Sequence, residues 1–258
     1  MVLSPLGRAR VADVSHEVVW IRVGGPNPRA NMDVEDCRSP RTADGDKAAM
    51  TNGREAARPP VANMPSIEQV NTLIRERRTI KPGDMSDDEV DRSLVDLILE
   101  NANWAPTHGL TEPWRFRIFA GESRRQLAHA LSGIYTEVTP REKFLESKHK
   151  KLSTLPLKSN VAILVWMKRQ DIRKIPEIEE VEAVACAIQN MHLTASALGL
   201  AGFWSSPEVL YTPRMNEWME IESEDRCLGV FYVGWPKEAL DWPTSTRRPV
   251  AEKTVWVE

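Results

Sequence analysis

The chain has few cysteines, and their spacing argues against two common ways of stabilising a small domain. Only Cys37, Cys186 and Cys227 occur among the 258 residues, and no two of them form a CxxC pair. Neither a disulfide framework nor a zinc site is therefore expected, and this usage fits a reducing compartment. Cys186 stands in an apolar stretch, which predicts a small core residue rather than a nucleophile.

Long hydrophobic runs and an excess of one charge are also missing. The longest apolar run, Val161 to Met167, is far shorter than the roughly 20 residues that a membrane-spanning helix needs. No charged segment followed by an apolar one opens the chain, so no signal peptide is predicted. The formal net charge of -3 and the pI of about 6.0 argue against a general nucleic-acid binder. We expect a soluble, cytoplasmic protein without a nucleic-acid or membrane partner.

Motifs of the common nucleotide-binding folds are absent from the sequence. Without a GxGxxG or a GxxxxGK(S/T) motif, a Rossmann or P-loop site has no support, and any cofactor must be held in another way. There is no defensible Ser–His–Asp triad, carboxylate pair or metal-ligand cluster. His192 lies within an apolar helical pattern, and we interpret it as a hydrogen-bonded core residue rather than a ligand.

The composition changes near residue 63. Residues 1–63 are rich in Arg, Asp, Ala, Pro and Gly, and apart from Val18 to Val23 they show little periodicity. We interpret them as a disordered extension or a start-site artefact, with partner binding or pocket regulation as the alternative. Residues 64–258 carry regular helix and strand signals and form the expected functional domain.

Helices and strands are mixed along residues 64–258. Three capping-box patterns predict helix starts: Ser66 with Gln69, Ser86 with Glu89, and Ser123 with Gln126. Thr212 and Pro213 predict the start of another helix, and residues 177–198 predict the longest helix, buried nearly all round. Strands are predicted at Trp114 to Phe119, Val161 to Met167, Phe203-Trp204 and Leu228 to Val233.

Four short motifs offer groups suited to a cofactor. Arg77-Arg78-Thr79 supplies bidentate cations for a phosphate, and His108 stands in a loop between Ala105-Pro106-Thr107 and Pro113-Trp114-Arg115-Phe116. Gly199 to Ser206 allows close backbone approach to a flat ligand, and Arg247-Arg248-Pro249 is a second basic motif. Each motif also has a plainer interpretation. The arginine pair would be a solvated helix end, and the His108 segment an ordinary helix–strand connection. The glycine motif would be a helix end before core aromatic residues, and the last motif a solvated basic tail.

In this order and spacing, the four motifs resemble the nitroreductase family. The chain has R-R-(S/T), then A-P-(S/T)-H before P-W-x-F, then a long helix ending in G-x-x-G-x-W, and a terminal R-R-P. It is similar to the short branch of that family with APxH before PWxF, and the resemblance covers about residues 64–258. It implies an α+β fold with a central, mostly antiparallel sheet surrounded by helices. It also implies an interlocked homodimer with FMN at the interface.

The resemblance implies roles for individual residues. Arg77 is expected to hold the FMN phosphate, and Arg78 and Thr79 to lie near the ribityl chain and the pyrimidine edge, where a cation favours the reduced flavin. The other expected contacts are His108, Trp104 of the partner subunit, the ring-lining Trp204, Ser205 and Ser206, and a phosphate contact from either Arg247 or Arg248. Ser205 stands where the family often carries Arg, which leaves the preference for NADH or NADPH open.

The implied reaction is a two-step hydride transfer. NAD(P)H reduces FMN and leaves, and a nitro compound or related small electrophile then takes electrons from the flavin. The alternatives are another flavin-dependent reductase, dehydrogenase or dehalogenase on this scaffold, or a flavin-binding protein without turnover. Residues 133–157 are expected to form a loop over the pocket, with the basic run Lys148 to Lys151 as a solvated helix face rather than a phosphate site.

Overall fold

The structure, a computed structural model, describes residues 64–258. The predicted extension, residues 1–63, lies outside the described residues. Within them, the helices are α1 (Ile67–Glu76), α2 (Arg92–Ala102), α3 (Ser123–Val138), α4 (Glu146–Thr154), α5 (Glu177–Ala197) and α6 (Pro213–Met219). The strands are β1 (Trp114–Ala120), β2 (Val161–Met167), β3 (Ala201–Ser205) and β4 (Arg226–Gly234).

The strands form one antiparallel sheet in the order β1-β2-β4-β3. This confirms the predicted α+β architecture with a central antiparallel sheet. β2 is apolar on both faces because helices cover both sides of the sheet. Residues of α2 and α5 pack on the face that carries Ile163 and Phe231, and residues of α3, α4 and α6 pack on the face that carries Leu164 and Tyr232.

The helix starts were predicted best where capping is local. Ser66 Oγ accepts the Gln69 N–H at 3.3 Å and Gln69 Oε1 accepts the Ser66 N–H at 2.8 Å, so the first capping box is confirmed. α6 begins as predicted, with the Thr212 side chain accepting from the backbone of Met215. α3 also begins at Ser123, although this hydroxyl bonds the backbone of Ala120 instead of capping the helix.

The predicted helix start at Ser86 and Glu89 is wrong. α2 begins later, at Arg92, with Asp91 accepting the Ser93 N–H at 2.7 Å. The Ser86 N–H instead donates to the carbonyl of Trp235 at 2.8 Å, just beyond β4. This long-range pairing holds the segment extended, so the local capping pattern is not used.

The expected pocket loop over residues 133–157 is largely helical. α3 continues to Val138, and α4 occupies Glu146–Thr154. The C-terminal tail has one short 3-10 turn, Val250–Lys253, and ends in the exposed residues Val255, Trp256 and Val257. No helix among residues 64–258 is both long enough and apolar enough to cross a bilayer.

α5 confirms the longest predicted helix, but a single chain does not bury it all round. One face is buried in the core, while Ile178, Glu182, Cys186, Gln189 and Ala197 form an exposed stripe at helical spacing. The prediction that Cys186 is a core residue is wrong, because its side chain lies on this stripe. The helical periodicity identified the helix, but the apolar composition did not distinguish its buried positions from its exposed ones.

Candidate functional site

The outer edge of β3 is only partly paired. Thr79 forms a parallel bridge with Gly202, and the Ile80 N–H donates to the Gly202 carbonyl at 3.1 Å. Since N–H and C=O directions alternate along a strand, the backbone N–H and C=O of Trp204 point to the same outer side as those of Gly202. In the described chain β3 is the last strand on this side of the sheet. A flat ligand with hydrogen-bonding edges can therefore pair with it.

A β-bulge and a glycine position the Trp204 side chain. The register of β2 and β4 shifts after Val165, which leaves Leu228 as the extra residue, and the Leu228 carbonyl accepts from Trp204 Nε1 at 3.0 Å. At Gly229, where φ is 151°, a Cβ would stand 2.2 Å from that nitrogen. Only glycine leaves room for the indole, which stays 39% exposed at the sheet edge.

His192 on α5 orients Arg77 near this edge. Its Nε2–H donates to the Gly202 carbonyl at 3.0 Å, and Arg77 Nη1 lies nearly equidistant from the two ring nitrogens, 3.5 Å from Nδ1 and 3.4 Å from Nε2. Burial, and then the charge of Arg77, lower the pKa of His192 to about 4, so the imidazole is neutral beside the guanidinium. The predicted core histidine is therefore confirmed, and it touches an expected site residue. A Cβ on Gly202 would stand 2.8 Å from His192 Cδ2.

Two further arginines, Arg78 and Arg247, lie near Arg77. Burial lowers the pKa of the Arg77 guanidinium, and the charges of Arg78 and Arg247 lower that pKa further. Arg78 Nε donates to the Pro243 carbonyl at 2.8 Å and its Nη1 donates to the Arg77 carbonyl at 3.0 Å, so this side chain fastens the tail to the end of α1. Arg247 is thus the tail arginine whose charge acts on Arg77. Arg248 contributes its carbonyl to Lys253 at 3.2 Å.

Ser205 and Ser206 continue from Trp204 into a cavity of about 440 Å³. Its walls also include Lys148 and Lys151 of α4. The second half of the glycine-rich motif therefore faces a pocket beside the open edge of β3.

Trp104 and His108 lie away from the arginines in the described chain. His108 Nδ1 is 2.5 Å from Glu179 Oε2 near the start of α5, whereas Arg77 meets His192 about 20 Å further along that helix. Trp104 is 79% exposed, and its indole N–H donates to Glu100 at 3.3 Å. One chain thus brings together the groups around Arg77 and Trp204, and it does not bring His108 to them.

The loop after His108 carries unusual backbone angles. Gly109, Leu110 and Glu112 have φ values of 61°, 52° and 44°. Non-glycine residues with positive φ are uncommon and cluster at functional sites. Leu110 is also 81% exposed, which gives this loop an apolar tip.

Two site residues were missed by sequence reasoning. Gly229 had one available signal, since a glycine inside an apolar strand pattern often marks a bulge or a close approach. The contact of His192 with Arg77 had none, because it joins residues on different elements. Neither role follows from a motif.

Comparisons with known proteins identify the family and the fold. A model described as "Nitroreductase family" matches residues 74–235. The Bacillus subtilis protein named "Putative NAD(P)H nitroreductase YfhC" is 25% identical over 199 residues, which cover 74% of this chain and 98% of that protein. The crystal structure of a nitroreductase-like family protein from Bacillus cereus has 27% identity and a TM-score of 0.63, covering 76% of this chain and 99% of the other.

A more distant structure shares the fold. The FMN-dependent nitroreductase NfnB from Mycobacterium smegmatis, solved in complex with NADPH, has 16% identity and a TM-score of 0.56. The match covers 74% of this chain and 99% of that one.

Proposed function

The chain belongs to the nitroreductase family, and we propose that it is an FMN-dependent oxidoreductase that uses NAD(P)H to reduce nitro compounds or related small electrophiles. The observation that carries this proposal is the open edge of β3. There Thr79 pairs with Gly202, Arg77 contacts the His192 ring that bonds Gly202, and the Trp204 backbone lies two residues further along. Relatives named NAD(P)H nitroreductases and an FMN-dependent structural neighbour support the cofactor pair.

The arginine cluster fits the FMN phosphate. Arg77 and Arg247 have no carboxylate within 4.0 Å in the described chain, and burial, followed by the charges of Arg78 and Arg247, lowers the pKa of Arg77. A phosphate dianion would relieve this repulsion and accept bidentate hydrogen bonds from the guanidinium groups. We assign the phosphate to Arg77 and Arg247, while Arg78 holds the backbone around them.

The sheet edge fits the flavin ring. Its pyrimidine edge carries alternating carbonyl oxygens and an N–H, which the backbone N–H and C=O of Trp204 complement. The Thr79 hydroxyl lies at the neighbouring bridge and adds a further donor or acceptor. When bound, FMN would accept a hydride from NAD(P)H and pass electrons to the substrate, while these groups fix its orientation.

A second copy of the chain would complete the site. A two-fold axis across the exposed stripe of α5 sets the two helices antiparallel, which brings the Glu179 end of one copy to the His192 end of the other. His108 of the partner subunit would then reach the flavin bound beside Arg77. The exposed side chains of Trp104, Leu110 and Ile178 favour burial in such an interface.

The visible absorption spectrum tests the redox proposal. The purified protein, incubated with FMN, should be yellow, bleach under anaerobic NAD(P)H, and regain its colour with a nitro compound. Arg77→Met should lower FMN content. Arg75→Met, which changes an exposed arginine in the last turn of α1, should not. A protein that stays colourless after incubation with excess FMN contradicts the proposal, and a yellow protein that NAD(P)H does not bleach indicates flavin binding without turnover.

Cys186 offers a test of the dimer. It is exposed near the middle of α5, where the two antiparallel helices would meet at the axis. Mild oxidation should produce a covalent dimer that is absent in Cys186→Ser. A monomer in sedimentation that gives no Cys186-dependent cross-link would contradict this arrangement.

A further inference from the structure

The cavity that begins at Ser205 and Ser206 has an apolar floor and a basic rim. Leu152, Leu155 and Tyr232 supply the apolar surface. The volume of about 440 Å³ suits a small aromatic molecule or one part of a nucleotide. Ser205 follows Trp204 in β3, and successive side chains of a strand point to opposite faces of a sheet, so the cavity opens on the Tyr232 face, next to the strand edge proposed for the flavin.

Two lysines of α4 face this cavity. Lys148 and Lys151 are three residues apart, so they share one side of the helix, while Lys150 is exposed on another side. The basic run is solvated as expected, with Lys150 and Lys151 exposed and Lys148 partly exposed, and its first and last residues also line the cavity. Their like charges repel one another, and an anion between them would offset that repulsion.

The two lysines differ in their partners. Lys148 Nζ bonds Glu208 Oε2 at 2.7 Å and lies 5.3 Å from the centre of the Tyr135 ring, which holds it in place. The hydrogen bond and the charge of Lys148 lower the pKa of Glu208, so that carboxylate is ionised at neutral pH. Lys151 has no carboxylate within 4.0 Å in the described chain. The rim thus carries two cations against one acid.

We propose that Lys148 and Lys151, with the hydroxyl groups of Ser205 and Ser206, form an anion subsite beside the flavin. Its ligand is the carboxylate of an aromatic substrate or a phosphate of the nicotinamide donor. The ammonium groups and hydroxyls would donate to the anion, and the apolar floor would hold the attached ring. This subsite rests on the proposed function, since it places the ligand next to FMN.

Glu208 is the internal competitor for this anion. Its side chain is 87% exposed and bonds only one of the two lysines, so an entering anion can displace it at small cost. Removing the Glu208 carboxylate should therefore strengthen anion binding, whereas removing a lysine should weaken it. This pair of changes separates an electrostatic subsite from a general effect on folding.

Equilibrium titration of the oxidised, FMN-loaded protein tests the subsite without turnover. Flavin absorbance would follow the binding of 4-nitrobenzoate, neutral 4-nitrobenzamide, NAD+ and NADP+. We expect Lys151→Met to weaken anion binding about tenfold, as for one charge-assisted hydrogen bond. Binding of 4-nitrobenzamide should be unchanged. Lys150→Met is the matched control and should behave as wild type, and Glu208→Gln should tighten binding of the same anion.

The outcomes separate the two sources of the anion. Selective weakening of 4-nitrobenzoate assigns the subsite to a substrate carboxylate, and selective weakening of NADP+ or NAD+ assigns it to a phosphate of the donor. An FMN-loaded Lys151→Met protein that binds all four ligands as wild type does overturns the subsite alone. Equal losses for charged and neutral ligands also overturn it. A wild-type protein that takes up no FMN overturns the proposed function itself.

Discussion

Replacing Gly229 with alanine tests how the sheet positions Trp204. The new Cβ would stand 2.2 Å from Trp204 Nε1 and 2.9 Å from the Ser205 carbonyl oxygen, on a backbone with a φ of 151°. The indole would have to move and give up its 3.0 Å hydrogen bond to the Leu228 carbonyl. The variant should therefore lose both stability and the fixed orientation of Trp204.

The magnitude follows from two contributions. A non-glycine residue in a sparsely populated backbone region costs about 1–3 kcal/mol, and one lost hydrogen bond costs about 1 kcal/mol. The free energy of unfolding should thus fall by about 2–4 kcal/mol. Gly199→Ala is the matched control, since φ there is 74° but no atom lies within 4 Å of the added Cβ. That change should cost only the backbone strain, about 1–2 kcal/mol.

Urea unfolding at a fixed protein concentration measures both variants, and FMN content reports on the site. In a Trp204→Ala background the two ring atoms nearest the added Cβ, Nε1 at 2.2 Å and Cδ1 at 2.7 Å, are absent, so Gly229→Ala should destabilise less than in wild type. A coupling free energy near zero between the two substitutions in this double-mutant cycle would refute the reasoning. A Gly229→Ala protein with wild-type stability and wild-type FMN content would refute it as well.

Three further predictions concern a buried ion pair, a histidine and the dimer. Arg169 pairs with Glu180, which is 1% exposed, so Arg169→Met should lower the free energy of unfolding in urea by about 3–5 kcal/mol; adding Glu180→Leu should restore most of that loss. The folded-state pKa of His192, about 4, lies below its ordinary 6.5, so the unfolded chain takes up the proton first. Stability should then fall, by an amount on the order of 3 kcal/mol, as the pH drops from 6.5 to 4, and His192→Gln should flatten this profile. If FMN bridges two copies, adding it should lower the dimer dissociation constant in sedimentation, and a monomer that binds FMN equally well would contradict that linkage.

Features set by neighbouring residues were predictable from the sequence. The capping box at Ser66 and the helix start at Thr212-Pro213 involve residues within one helical turn. The local sequence alone therefore nearly determines where these two helices begin. The alternating and apolar strands follow from burial of one or both faces of the sheet. The pattern at Ser86 failed because its N–H is taken by Trp235, far along the chain.

Features set by packing between distant segments were not predictable. Cys186 has the same apolar neighbours in sequence as a core residue, yet it lies on the exposed stripe of α5. Lys148 and Lys151 face the cavity because the fold places α4 across from the end of β3. Helical spacing shows that these two lysines share a face, but only the tertiary structure shows what that face meets.

The Gly202 carbonyl explains why the proposed cofactor site depends on backbone geometry. This one oxygen accepts from the Ile80 N–H at 3.1 Å and from His192 Nε2 at 3.0 Å. It therefore joins the segment that carries Arg77 and Thr79 to the sheet edge and to α5 at a single point. A side chain at Gly202 would collide with His192 and separate these three elements. In the proposed site, the bare backbone of Gly202 therefore keeps Arg77 and Thr79 beside β3.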